Sequence, residues 1–156
     1  AAIPPGITNQ PQDQLVNQAA AAVFSVAATG SGTLTYQWRF NETNLAGATA
    51  SSYTRTNAQP ADIGHYSVVV SNTAGSILSS NATLRLNVPA PTLDPSSPGL
   101  LRWQGLSNLT YTIQNRTNLA LGDWQTLGDT SSPSGTLVFP LPDTNAPQNF
   151  FRVVYP

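Results

Sequence analysis

Apolar residues recur in this chain at every second position and nowhere sustain a 3.6-residue pattern, so strands rather than helices must carry its core. LTYQWRF (34–40) alternates strongly, HYSVVVSN (65–72) alternates after a turn, and SSYTRTN (51–57) is threonine-rich and strand-like. AAAAVFSVAA (19–28) invites a helix on its alanines, yet Ala22, Phe24 and Val26 alternate with small or polar neighbours, and TGSG follows as a turn. SILSSNATLRLNV (76–88) reads as one long strand. PAPT (89–92) then places two prolines, which cannot join a central ladder and stiffen the chain. Beyond it, GLLRW (99–103), LTYTIQNR (109–116), DWQTLGD (123–129), GTLVFPL (135–141) and NFFRVVY (149–155) are parted by turn signals at the spacing of a sandwich. The expected fold is all-β: two tandem antiparallel β-sandwiches at 1–88 and 93–156, joined by a linker at 89–92.

What the surface lacks narrows the function. Hydrophobic residues make up 40% of the 156, enough for packed cores, but charged residues are only 8%, against about a quarter in ordinary domains. The polar surface must therefore be Ser, Thr, Asn and Gln. All six basic residues are arginines and the net charge is −1. This argues against nucleic acid, whose binders carry a basic stripe, and against anionic membrane surfaces. No apolar run approaches the roughly 18 residues that span a bilayer. The segment AAIPPGITNQ shows no basic region followed by an apolar one, as a signal peptide would, and reads as a mature end left after cleavage. Zero cysteine does not fix the redox compartment, but a weakly charged, Asn/Thr-rich chain without methionine suits the cell exterior.

Within 61–72, ADIGHYSVVVSN spaces Asp62, Gly64 and Tyr66 two apart, and Trp38 lies upstream in TYQW. Together with NLAGATASSYTRTNAQPADIGHY and the turn SNTAGS, these residues resemble a bacterial immunoglobulin-like domain of the intermediate set, over about residues 4–88. The resemblance implies that Trp38 is the core tryptophan of strand C, and that Asp62, Gly64 and Tyr66 form the tyrosine corner before strand F. It also places Val26 and Val68 where such domains carry their inter-sheet disulfide, so Trp38 is expected to pack on two valines. A bridge there would contribute about 4 kcal/mol in the chain-entropy model. Burying two valines gives roughly 1.5 to 3 kcal/mol each, so packing offsets the missing bond.

The second half resembles a short fibronectin type III-like sandwich. Trp103 in LLRW and Tyr111 in LTYTIQ match its strand-B tryptophan and strand-C tyrosine. YTIQNRTNLALGDWQTL and the later FFRV resemble a small C-terminal module of large secreted bacterial surface proteins, over about 92–156. This implies a fold and no activity.

Candidate chemistry is sparse. His65 is the only imidazole, and alternation points it away from Tyr66, toward solvent. One histidine and no cysteine exclude a closed zinc cluster, and Asp13, Glu42, Asp62, Asp94, Asp123, Asp129 and Asp143 are too scattered for calcium. Asp123 and Asp129 fall at opposite ends of one strand, about 20 Å apart at 3.3 Å per residue, too far for a glycosidase pair. TGSGT (29–33) reads as a hairpin turn and not a phosphate cradle. Without lysine, no Lys–Asn isopeptide can form. The sequons at Asn41, Asn81, Asn108 and Asn115 are about as many as composition yields by chance. Trp124, at a strand start, is the candidate ligand contact.

The expectation is a non-catalytic extracellular or cell-surface module for adhesion or spacing, with no cofactor and no metal. It would act through protein partners or self-association, with 29–33, 40–50 and 71–76 as candidate loops. A second reading is a filament subunit whose extended segment AAIPPGITNQPQ lies on a neighbour's sheet edge. A third is a carbohydrate-binding module using Trp124.

Overall fold

The computed structural model describes residues 1–89, 92–93, 99–117, 122–141 and 150–155. The chain divides into two compact units, Ala1–Asn87 and Val88–Pro156. Among the described residues the regular structure is β-strand, apart from one 3-10 turn at Pro60–Asp62.

In the first unit one face is built by short ladders. Strand β1 (Gly6–Asn9) runs antiparallel to β4 (Ala27–Thr29), and β3 (Ala22–Ser25) antiparallel to β7 (Ser52–Arg55). β3 and β4 are one alternating run parted at Val26, whose N–H donates to the Ser51 carbonyl at 3.0 Å. Ala22, Phe24 and Val26 are buried and their neighbours are not, so a helix would have scattered this apolar set. The second sheet has the order β2 (Gln14–Val16), β10 (Ala82–Leu86), β8 (Gly64–Asn72), β5 (Thr35–Phe40), β6 (Thr43–Asn44), with β9 (Gly75–Leu78) also on β8. β2 pairs with β10 in parallel and the other pairs are antiparallel.

Three expectations need correction. The amino-terminal segment is no free arm: Gly6–Asn9 pairs with β4, and just beyond the segment Gln14–Val16 pairs with β10. Between them the Asp13 carboxylate accepts from the Thr83 N–H at 2.7 Å, which fixes the crossing. The run 76–88 is two strands and not one. At the break, Ser79 Oγ accepts from the buried Val68 N–H at 2.9 Å, and Ser79 N–H donates to the Val68 carbonyl at 2.9 Å. Ser79 thus satisfies both backbone groups of Val68 where the ladder is interrupted. TGSGT is not a hairpin turn either, since it leads from β4 in one sheet to β5 in the other.

The second unit has two three-stranded sheets. One has the order β11 (Thr92–Leu93), β12 (Leu100–Gln104), β15 (Thr136–Pro140), and the other β14 (Gln125–Thr130), β13 (Tyr111–Arg116), β16 (Phe150–Val154). Thr92 already pairs with Arg102, so the end of the expected linker lies inside a strand. Ala90 and Pro91 of that linker lie outside the described residues. Leu101, Trp103, Leu106, Tyr111, Ile113 and Leu137 form the core. Trp103 meets Tyr111 edge-on, ring centres 5.7 Å apart at 87°, which brings β12 against β13.

Candidate functional site

The corner is built by local hydrogen bonds. Pro60 fixes φ for the 3-10 turn, and the Asp62 Oδ2 accepts from the Gln59 N–H at 2.9 Å. Asp62 Oδ1 holds Arg55 at 2.8 Å, which keeps the Arg55 guanidinium protonated above its ordinary range. The Asp62 carbonyl then accepts from the Tyr66 hydroxyl at 3.0 Å. Burial first, and the Asp62 charge second, push the Tyr66 hydroxyl up to about 12.

Gly64 is a glycine because another chain segment occupies the space of a side chain. A Cβ there would lie 2.7 Å from both Asn41 Oδ1 and Phe40 Cε2. Asn41 Oδ1 accepts from the His65 N–H at 2.9 Å, and Asn41 N–H donates to the His65 carbonyl at 2.8 Å. Asn41 and Glu42 have φ of 43° and 68°, the two left-handed positions of a tight hairpin turn. Part of the candidate loop 40–50 is therefore a hairpin latched to the corner. His65 itself is exposed, with Nδ1 3.3 Å from Thr83 Oγ1.

Trp38, Val68 and Val26 are buried, at 0%, 0% and 7% exposure. Trp38 and Val68 are direct cross-strand partners. The expectation of packing on valines alone misses the rings: Phe24 and Tyr53 each lie 6.2 Å from Trp38. Phe24, Phe40 and Tyr53 in turn surround Tyr66 at 4.5, 5.0 and 6.0 Å. Aromatic contacts in the core thus accompany the buried Val26 and Val68, which stand where the resemblance assigns a covalent bridge.

The other two candidate loops meet at one end of this unit. Asn72 Nδ2 donates to the carbonyls of Ile3 and Ser31 at 2.8 and 3.0 Å, and Asn72 Oδ1 accepts from the Ala74 N–H at 2.9 Å. Ile3 and Ser31 are also joined by two bonds of 3.0 Å. One asparagine thereby ties the amino-terminal segment, loop 29–33 and the 71–76 turn together. No motif announced it, because its partners are 69 and 41 residues away.

In the second unit, Trp103 and Tyr111 are core residues, at 5% and 0% exposure. The Tyr111 hydroxyl accepts from the Leu106 N–H at 2.7 Å, and burial raises its pKa. Trp124 is half-buried on the outer face of the β14–β13–β16 sheet. The guanidinium carbons of Arg116 and Arg152 lie 4.6 and 4.4 Å from its ring centre. Sequence reading singled out the ring and missed both cations; Arg152 is far away in the chain and comes beside it only through β16.

Asp94 and Asp143 lie outside the described residues. Among the described residues no three His, Cys, Asp or Glu side chains come together to hold a metal, and no helix is long and apolar enough to cross a membrane.

Residues 4–72 match the family model for the immunoglobulin domain. No curated protein matches the chain. Among solved structures, the chain is similar to the tandem Ig repeats of Dlar, with 22% identity and a TM-score of 0.50 over 55% of this chain and 49% of that one. It thus spans about half the length of that structure. It is similar to titin M4, with 20% identity and a TM-score of 0.51 over 56% of this chain and 99% of that one. It is also similar to the complex of titin M10 with an obscurin-like 1 Ig domain, with 23% identity and a TM-score of 0.50 over 57% and 98%. At these identities the likeness concerns fold: the first unit is immunoglobulin-like, and the architecture is all-β.

Proposed function

We propose that this chain is a non-catalytic module of the cell exterior, used for adhesion or spacing through protein–protein contacts. The observation that carries the reading is the way the first unit presents its ends. Asn72 clamps two loops and the amino-terminal segment at one end, and Asn41 latches a hairpin to the tyrosine corner at the other. Loops fixed in advance lose little entropy on binding, which favours recognition by a rigid surface. Immunoglobulin-like frames generally serve protein contacts or act as spacers and are generally non-catalytic, and a titin M10 frame does form a complex with an Ig domain. The low charge and the absence of cysteine support a stable domain that does not depend on redox state. The second unit's strand order, three strands against three with Trp103 on Tyr111, supports a shortened fibronectin-III-like companion.

The other two readings draw less support. The segment meant to dock on a neighbour pairs within its own unit, and the ring meant to stack on sugar is flanked by two guanidiniums.

Immunogold labelling of sectioned producing cells, combined with attachment assays after deletion of this segment, tests the proposal. Surface label together with reduced attachment is the expected result. Label confined to the cell interior overturns it.

A further inference from the structure

The outer face of the β14–β13–β16 sheet carries a cationic cluster that the contact-module reading leaves without a partner. On β13, Tyr111 and Ile113 point into the core, so Thr112, Gln114 and Arg116 point out. Register places Arg152 of β16 and Thr126 of β14 on either side of Gln114. Arg152 Nε donates to Gln114 Oε1 at 2.8 Å, and Gln114 Nε2 donates to Thr126 Oγ1 at 3.1 Å. This polar row spans three strands and fixes the Arg152 fork. The Trp124 ring lies 4.6 Å from the Arg116 guanidinium carbon and 4.4 Å from that of Arg152, so the two charges are at most about 9 Å apart. Asp129, an acidic side chain on the same face, accepts from Thr112 Oγ1 at 2.7 Å. Neither guanidinium forms an ion pair among the described residues.

We propose that this face binds an acidic, extended polypeptide segment of a partner protein, with alternate carboxylates on Arg116 and Arg152. Guanidinium groups recognise carboxylates through paired, charge-assisted hydrogen bonds. Side chains two apart on an extended strand project to one side at about 6.6 Å, a spacing that the two arginines can meet. A sugar ring would need an open indole face, and here the cations approach that ring. The inference rests on the reading of the chain as a protein-contact module and names the chemistry of the partner.

The test is a titration of the intact 156-residue chain against fluorescein-labelled poly-L-glutamate at low salt, read by anisotropy, with tryptophan emission as the site report. Trp38 and Trp103 are buried, so a change in emission reports Trp124. The expected result is saturable binding that falls at least tenfold in Arg116→Gln/Arg152→Gln, stays unchanged in Arg85→Gln on the exposed side of β10, and weakens steeply with salt. If the double variant does not fold, Arg152→Gln alone, at an exposed position of β16, makes the same comparison, with an expected loss of at least threefold. Absence of saturable binding, equal affinity in the arginine variants, or polygalacturonate binding tenfold tighter than polyglutamate overturns the assignment. Should the titration fail while surface labelling and attachment hold, the acidic partner is wrong and the module reading stands.

Discussion

The Tyr66 hydroxyl donates to the Asp62 carbonyl at 3.0 Å, across four residues and inside the core. That single bond closes the turn that delivers the chain into β8, the strand that pairs with β5, β9 and β10. Tyr66 also touches Phe24, Phe40 and Tyr53, so the corner and the aromatic core are one device.

The corner should lose stability in alkali. The Tyr66 hydroxyl is raised to about 12 in the folded unit, against about 10 in an unfolded chain. The folded state therefore keeps its proton after the unfolded state has released it. The stabilisation is complete below pH 10 and is lost as pH rises from 10 through 12, on the order of 2–3 kcal/mol. Urea unfolding at pH 8 to 12 should show this fall, with Tyr66→Phe showing less of it.

Asp62 does two jobs that substitution can separate. Asp62→Asn keeps an oxygen for the Gln59 N–H and loses the Arg55 charge pair, half exposed on the arginine side. It should cost no more than about 1 kcal/mol. Asp62→Ala also leaves a backbone donor without its partner and should cost about 1–3 kcal/mol. Equal losses in denaturant unfolding would contradict this division.

Gly64→Ala should destabilise the first unit by about 1–3 kcal/mol, because the new methyl group meets Asn41 and Phe40 at 2.7 Å. The His65 amide should then exchange hydrogen faster, since Asn41 Oδ1 must move off it. An unchanged melting temperature would show that the hairpin gives way freely.

Much of this unit is legible in the sequence alone. Alternation at Ala22, Phe24 and Val26 outweighed the helical bias of the alanines, because one buried face decides the period. The Asp62, Gly64, Tyr66 spacing marked the corner, since its bonds join residues close in sequence. The Phe24 and Tyr53 contacts to Trp38 were not legible, because periodicity says which residues are buried and not which ones meet across two sheets. Nor were the strands at Gly6–Asn9 and Gln14–Val16, which at four and three residues are too short to show an alternation. The break at Ser79 was hidden inside a continuous strand-like run. The Arg152–Trp124 contact depends on strand order, which no local motif encodes.

Ser79 is the clearest case of a polar residue that alternation does not explain. Its Oγ accepts from the buried Val68 N–H, so Ser79→Ala leaves that donor unpaired and should cost about 1–3 kcal/mol. Amide exchange at Val68 should accelerate in the same variant. A neutral Ser79→Ala would mean that the ladder closes over the gap.

The central claim is that hydrogen-bonded corner geometry and aromatic packing hold a cysteine-free immunoglobulin-like frame together. Urea denaturation of Tyr66→Phe tests it most directly, because the change removes one hydroxyl and keeps the ring. A loss of about 1–3 kcal/mol at pH 7 with an unchanged denaturant slope is the predicted result. A variant as stable as the parent would contradict it.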